Sequence, residues 1–192
     1  MQGKGNLIKK YKMKQKSEYH KNATYAAMVE AMDQNVGRLI STLEKLNLTE
    51  QNIIIFTSDN GGLYTVSEQY PLKHGKGSYY EGGTRIPLII RWDRRIKPNA
   101  ISKTPVINLD FYPTFVTITN STSPKNQVLD GVDLSLVLFK NKELKERPVF
   151  WHFPVYLEAA KGYNENTGRD PLFRTRPGST MRYGKMETAS IF

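Results

Sequence analysis

The chain has 192 residues, 39% of them hydrophobic, and a formal net charge of +10, which is enough apolar material to bury one core. It has no cysteine, which excludes a disulfide framework, a thiolate metal site and a cysteine nucleophile within these residues. The positive balance invites an anionic partner. However, aromatic residues do not interleave with a basic stripe and no nucleic-acid-binding motif occurs, so an anionic small substrate is favoured over nucleic acid.

Residues 1–19 open with "MQGKGNLIKKYKMKQK", where six lysines fall between Lys4 and Lys16. The segment lacks the apolar stretch of about 7 to 15 residues that marks a secretion signal, and reads as a solvated, partly helical basic arm. No run approaches the roughly 18 apolar residues of a membrane span, and the compartment is left open. The strings "NAT", "NLT" and "NST" at Asn22, Asn47 and Asn120 fit a glycosylation pattern that matters only in a secreted eukaryotic chain, and they carry no weight.

From Asn22 to Leu46 the apolar residues Tyr25, Met28, Val29, Met32, Val36, Leu39, Ile40, Leu43 and Leu46 recur at three- and four-residue steps, the spacing of an amphipathic helix that packs on something. Ile53 to Thr57 is then a continuous β-branched and aromatic run of the kind buried in a parallel sheet with helices on both faces. Helix, short loop and buried strand point to an α/β layer architecture. A second apolar run, Ile86 to Ile90, reads as another buried strand. "NLDFYPTFVTI" has helical spacing, "GVDLSLVLF" is a short helix or turn, and "RPVFWHF" is a third strand candidate. The tail "RTRPGSTMRYGKMETASIF" reads as a hairpin with "YGK" as its turn.

Chemistry concentrates between the two long apolar runs. "FTSDNGG", Phe56 to Gly62, is what a chain uses to leave a strand and bend back. It also sits beyond the carboxyl end of a strand, where α/β sheets bind ligands, and Asp59 and Asn60 offer hard oxygens suited to calcium or magnesium. "HGKGSYYEGGTR", His74 to Arg85, brackets Lys76 with glycines, so that backbone can approach a ligand closely and an ammonium can be aimed at an anionic oxygen. Together they suggest an anion held between a divalent cation and a lysine.

"IIIFTSDNGG" followed by "HGKGSYYEGGTRIPLIIRW" resembles the carboxyl-terminal half of the sulfatase family, the calcium-dependent sulfuric ester hydrolases related in fold to alkaline phosphatase. The similarity extends through "YAAMVEAMDQNVGRLI" upstream and "LDFYPTFV", "LDGVDLSLVL" and "VFWHFP" downstream, over about residues 20 to 155. The resemblance implies an incomplete alkaline phosphatase-like α/β sheet with helices on both faces and a small antiparallel carboxyl-terminal element. It divides the chain at 1–19, 20–140 and 141–192. By position, Asp59 and Asn60 resemble two calcium ligands, with magnesium a weaker choice, and Lys76 resembles the lysine that contacts the sulfate group and leaving oxygen. Glu81, Gly82, Gly83 and Arg85 match an E-G-G-x-R string read as holding the loop. His74 lies where the motif fixes nothing, and reads either as a substrate contact or as a solvated loop residue. His152, in "WHFP", resembles a histidine near the substrate pocket of some glycan sulfatases, and reads equally as a core or surface histidine.

The chain also departs from the family. Members carry near their amino terminus a Cys or Ser in a C/S-x-P-x-R string that is oxidised to formylglycine, the nucleophile. No cysteine and no S-x-P-x-R string occurs here, and the aspartates completing the calcium site, with an upstream lysine and histidine, belong to the same missing half. The end, "METASIF", departs from the "WKLI" strand of the family. The resemblance therefore implies a sulfatase-like fragment. Its parent hydrolyses sulfate esters, of glycans above all, outside the cytoplasm, and its partner is the missing amino-terminal half. Two other readings stay open: a non-catalytic remnant that binds sulfated glycan, and a related phosphate or phosphonate ester hydrolase.

Overall fold

The computed structural model describes residues 1–15, 18–78, 80–151, 181–183 and 189–190. These fall into two compact units, one holding Met1–Thr49 and Ser58–Ile86, the other Glu50–Thr57 and Pro87–Val149.

In the first unit the basic arm is a helix, α1 (Gly5–Met13), packed against α2 (Ala23–Lys45). Asn22 caps α2, its side-chain oxygen accepting the Tyr25 amide at 2.9 Å, which satisfies one of the orphan donors of the first turn. Leu7 of α1 and Ala27 of α2 are buried. Lys10 Nζ donates to both Glu30 carboxylate oxygens at 2.7 and 2.8 Å. The arm is thus docked rather than merely solvated. The Lys10 ammonium first, and the Tyr11 hydroxyl next, hold the Glu30 carboxyl below its ordinary pKa, so this exposed clasp contributes above the carboxylate range and loosens as pH falls through it. Among the described residues no helix is long and apolar enough to cross a membrane.

In the second unit β1 (Ile54–Thr57) pairs with β2 (Leu88–Arg91), with Ile54 opposite Arg91 and Thr57 opposite Leu88. The pairing is antiparallel, which corrects the parallel setting expected for the first apolar run. A parallel partner needs a crossover, usually helical, whereas residues 58–87 form a returning loop with only the one-turn helix α3 (Glu81–Thr84) in it. Leu88 and Ile90 are buried while Ile89 and Arg91, which alternate with them, are half-buried, the alternation of a strand with one face on the core. Ile96, Leu134 and Leu138 complete that core, with Ile53, Ile55, Trp92 and Phe111 packed around it.

The short strand β3 (Ile101–Ser102) was not anticipated. After α4 (Phe111–Ile118) and α5 (Ser135–Lys140) comes β4 (Val149–Trp151), the strand expected in "RPVFWHF". In the tail, β5 (Met181–Tyr183) joins β4, and β6 (Ala189–Ser190) joins β3 antiparallel. The two tail strands pair with earlier strands rather than with each other as the expected hairpin, because β3 and β4 offer them edges.

Asp110 is fully buried and organises this unit. Its carboxylate accepts the Ile107 amide at 2.8 Å, the Val132 amide at 2.9 Å and the Arg147 guanidinium. Its carbonyl accepts the Thr114 hydroxyl at 2.6 Å, and that hydroxyl in turn accepts the Leu134 amide at 2.9 Å. One acidic side chain thereby ties the entry to α4, the approach to α5 and the segment before β4.

Candidate functional site

β1 ends at Thr57 and the chain turns. Ser58 Oγ donates to the Asn60 carbonyl at 2.9 Å, and Asn60 Nδ2 donates to Asp59 Oδ1 at 3.1 Å. These bonds make the turn that Asp, Asn and Gly favour. They also point the Asn60 amide nitrogen at its neighbour, leaving the side-chain carbonyl as a hard oxygen beside the exposed Asp59 carboxylate. Ser58, which the sequence reading passed over, sets this geometry, and its signal was a hydroxyl placed between an apolar strand and a polar turn.

Backbone contact draws the lysine loop to that turn. The Gly61 amide donates to the Gly83 carbonyl at 2.8 Å, the Lys76 amide to the Gly62 carbonyl at 2.9 Å, and the Gly82 amide to the Lys73 carbonyl at 2.9 Å. A Cβ on Gly61 would collide with the carbonyl of Gly82, so the close approach requires glycine there. The glycine before Lys76 has a related use. A Cβ on Gly75 would meet the Gly62 carbonyl at 2.5 Å, so this residue admits neighbouring backbone, where the sequence suggested room for a ligand.

Lys76 is therefore anchored two residues from Asn60 through its own main chain. Its side chain is exposed and makes no salt bridge among the described residues. The E-G-G-x-R string holds the loop as read: Arg85 Nη1 meets Glu81 Oε2 at 3.0 Å, and the Arg85 amide donates to the Glu81 carbonyl at 2.8 Å. His74 lies on the same loop with a left-handed backbone, φ 61°. Its ring is stacked on Tyr80 at 4.4 Å, so it is half-buried and packed rather than solvated. His152 lies outside the described residues. His20, not singled out in the sequence, has Nδ1 3.3 Å from the Oγ of buried Ser67, a pairing across 47 positions that local patterning does not reveal.

Asp59 and Asn60 each carry a hard side-chain oxygen of the kind calcium prefers. Among the described residues no three His, Cys, Asp or Glu side chains group to hold an ion. Calcium takes about six to eight oxygens, so isothermal titration of chain 1–192 is expected to give a dissociation constant weaker than micromolar. A submicromolar value would mean the shell is complete as it stands.

A model of the sulfatase family matches residues 4–121, and the chain belongs to that family. The match begins inside the basic arm. A sulfatase of Formosa agariphila is 39% identical over 167 residues, which cover 80% of this chain and 30% of that protein. The steryl-sulfatase of Homo sapiens is 30% identical over 156 residues, covering 76% of this chain and 27% of that one. Among solved structures, Ps i-CgsB in complex with k-i-k-neocarrahexaose superposes with a TM-score of 0.67 at 35% identity, covering 78% of this chain and 33% of that one. The yidJ protein of Bacteroides fragilis gives a TM-score of 0.62 at 25% identity, covering 80% of this chain and 36% of that one. The fold is accordingly the alkaline phosphatase-like α/β fold of sulfatases in incomplete form. The chain spans about a third or less of the length of the relatives named.

Proposed function

We infer that this chain supplies the metal-edge and sulfate-contacting segment of a sulfuric ester hydrolase acting on sulfated glycans. The observation that carries this reading is the glycine-mediated knot holding Lys76 beside the Asp59–Asn60 turn. Asp59 and Asn60 would ligate the calcium, which when bound neutralises charge on the sulfuryl oxygens. Lys76 presents an ammonium to the ester's anionic oxygens, where a fixed positive charge favours the transition state over the ground state as charge develops on the leaving oxygen. The Glu81–Arg85 pair keeps that loop in place. His74 and His152 are assigned to substrate contact. The nucleophile comes from outside these residues, because they contain neither cysteine nor an S-x-P-x-R string. The oligosaccharide bound to one structural relative supports a glycan substrate. Asn rather than His at position 60 favours a hard cation, and with it sulfate over phosphate esters.

The test is a complete sulfatase domain in which this chain replaces the matching segment of the Formosa agariphila protein, assayed with an aryl sulfate. Lys76→Ala is expected to lower kcat by about 100- to 1000-fold, the size of losing one positioned electrostatic contact. Asn60→His is expected to lose about 100-fold in calcium, with residual activity responding to zinc or manganese. Near-full activity in calcium for either variant would remove that residue from the site.

A further inference from the structure

Glycine at position 62 is not required by its own backbone. Its φ lies outside the left-handed range that favours glycine, which among the described glycines Gly77 occupies. A Cβ there would meet first not main chain, as at Gly61 and Gly75, but the end of one side chain: Nε2, Cδ and Oε1 of Gln69, at 2.5, 3.1 and 3.3 Å. The Gln69 amide therefore lies directly against the Gly62 α-carbon. That amide is itself fixed. Nε2 donates to the Ser67 carbonyl at 2.6 Å, which tells the nitrogen of the side chain from its oxygen. Ser67 is buried, its own amide donates to the Leu63 carbonyl at 2.9 Å, and its hydroxyl lies 3.3 Å from His20 Nδ1. The Leu72 amide then closes back on the Gln69 carbonyl at 2.8 Å. Residues 63–72 are thus a loop folded on itself that lays Gln69 on Gly62. Gly62 is also where the lysine loop is anchored, since its carbonyl accepts the Lys76 amide at 2.9 Å.

We propose that Gln69 is a positioning residue for Lys76: by bearing on Gly62 it holds the peptide whose carbonyl receives the Lys76 amide, and so sets where the lysine begins. An ammonium at the end of a four-carbon stem is aimed only as well as its α-carbon is held, and a misplacement of about 1 Å by a residue away from the chemistry can cost about 100-fold in rate. Every residue in the chain of contacts, from His20 through Ser67, Gln69 and Gly62 to Lys76, belongs to the first unit. The inference rests on the reading of Lys76 as the lysine that faces the sulfate, and it adds the residue that sets that lysine's place.

The first readout is amide hydrogen exchange in chain 1–192, followed by NMR. Gln69→Ala is expected to speed exchange at the Lys76 amide by about 10-fold, the size of one weakened hydrogen bond. The Gly61 amide, bonded to the Gly83 carbonyl, is the control and changes by less than about twofold. Gly62→Ala, whose methyl displaces the Gln69 amide, has the same effect on Lys76, and joining it to Gln69→Ala adds nothing, because both act at one contact. The second readout is turnover of an aryl sulfate by the Formosa agariphila chimera. There Gln69→Ala is expected to lower kcat by about 10-fold with KM little changed, and to cost nothing further once Lys76→Ala is present. Native exchange at Lys76 in Gln69→Ala overturns the proposal. So does loss of protection at Gly61 and Lys76 together, which would make Gln69 a general brace of the loop, or a kcat loss repeated in full on top of Lys76→Ala. If Lys76→Ala by itself costs no activity, the functional reading falls instead, and exchange at the Lys76 amide still decides whether Gln69 sets it.

Discussion

Purified chain 1–192 is expected to hydrolyse an aryl sulfate no faster than buffer in the presence of calcium. The nucleophile of the proposed reaction is missing from these residues: there is no cysteine to become formylglycine and no S-x-P-x-R serine in its place. Losing a nucleophile costs on the order of a millionfold in kcat, and the remaining groups do not recover it because such residues act as a unit. On the proposed reading, in which Asp59 and Asn60 supply two of the roughly six to eight oxygens calcium takes, weak metal binding compounds the loss. The measurement is a long-incubation assay of the chain against its own Lys76→Ala variant. Turnover by the chain that Lys76→Ala abolishes would show a nucleophile among these residues and overturn the expectation. Equal, buffer-level rates support it.

The secondary-structure elements were more legible in the sequence than their packing. Helix α2 and strands β1 and β2 announced themselves through period and β-branching, and their bounds fall within a residue or two of the runs that suggested them. Asp59, Asn60 and Lys76 stood out as candidates because polar and glycine residues interrupted strong apolar patterns, and backbone hydrogen bonds bring their two loops together. Strand direction was not visible. A short apolar run such as Ile54–Thr57 looks alike in a parallel or antiparallel pair, and only the returning loop decides. The glycine knot was half-read. Spacing showed that backbone had to approach something, while the something, Gly82 against Gly61, is set by tertiary contact. The pairing of β6 with β3 and the link between Asp110 and Arg147 span too many positions for any local pattern to carry them.

Asp110→Ala is expected to unfold the second unit at much lower denaturant than the native chain requires. The side chain is wholly buried, and its partners are two backbone amides and a guanidinium that is itself 19% exposed. Truncation strands all three. Breaking a buried ion pair by removing one partner costs about 3–5 kcal/mol, chiefly because the other charge is left uncompensated, and each orphaned buried amide adds about 1–3 kcal/mol where water cannot reach it. Those sums rival the whole stability of a small domain, about 5–15 kcal/mol. Two companions separate charge from shape. Asp110→Asn keeps one carbonyl oxygen for the Ile107 or Val132 amide but turns an NH2 toward the other donor, and is expected to be as damaging as a lost buried hydrogen bond, about 1–3 kcal/mol. Asp110→Ala combined with Arg147→Met removes the stranded charge while keeping the stem's packing. It is expected to recover part of the loss, because coupled residues are non-additive. Urea unfolding followed by tryptophan fluorescence suits the measurement, since Trp92 packs against this core. A cost below about 1 kcal/mol for Asp110→Ala, the level of an ordinary exposed ion pair, would mean that water replaces the carboxylate and that the three ties it makes do not hold the unit together.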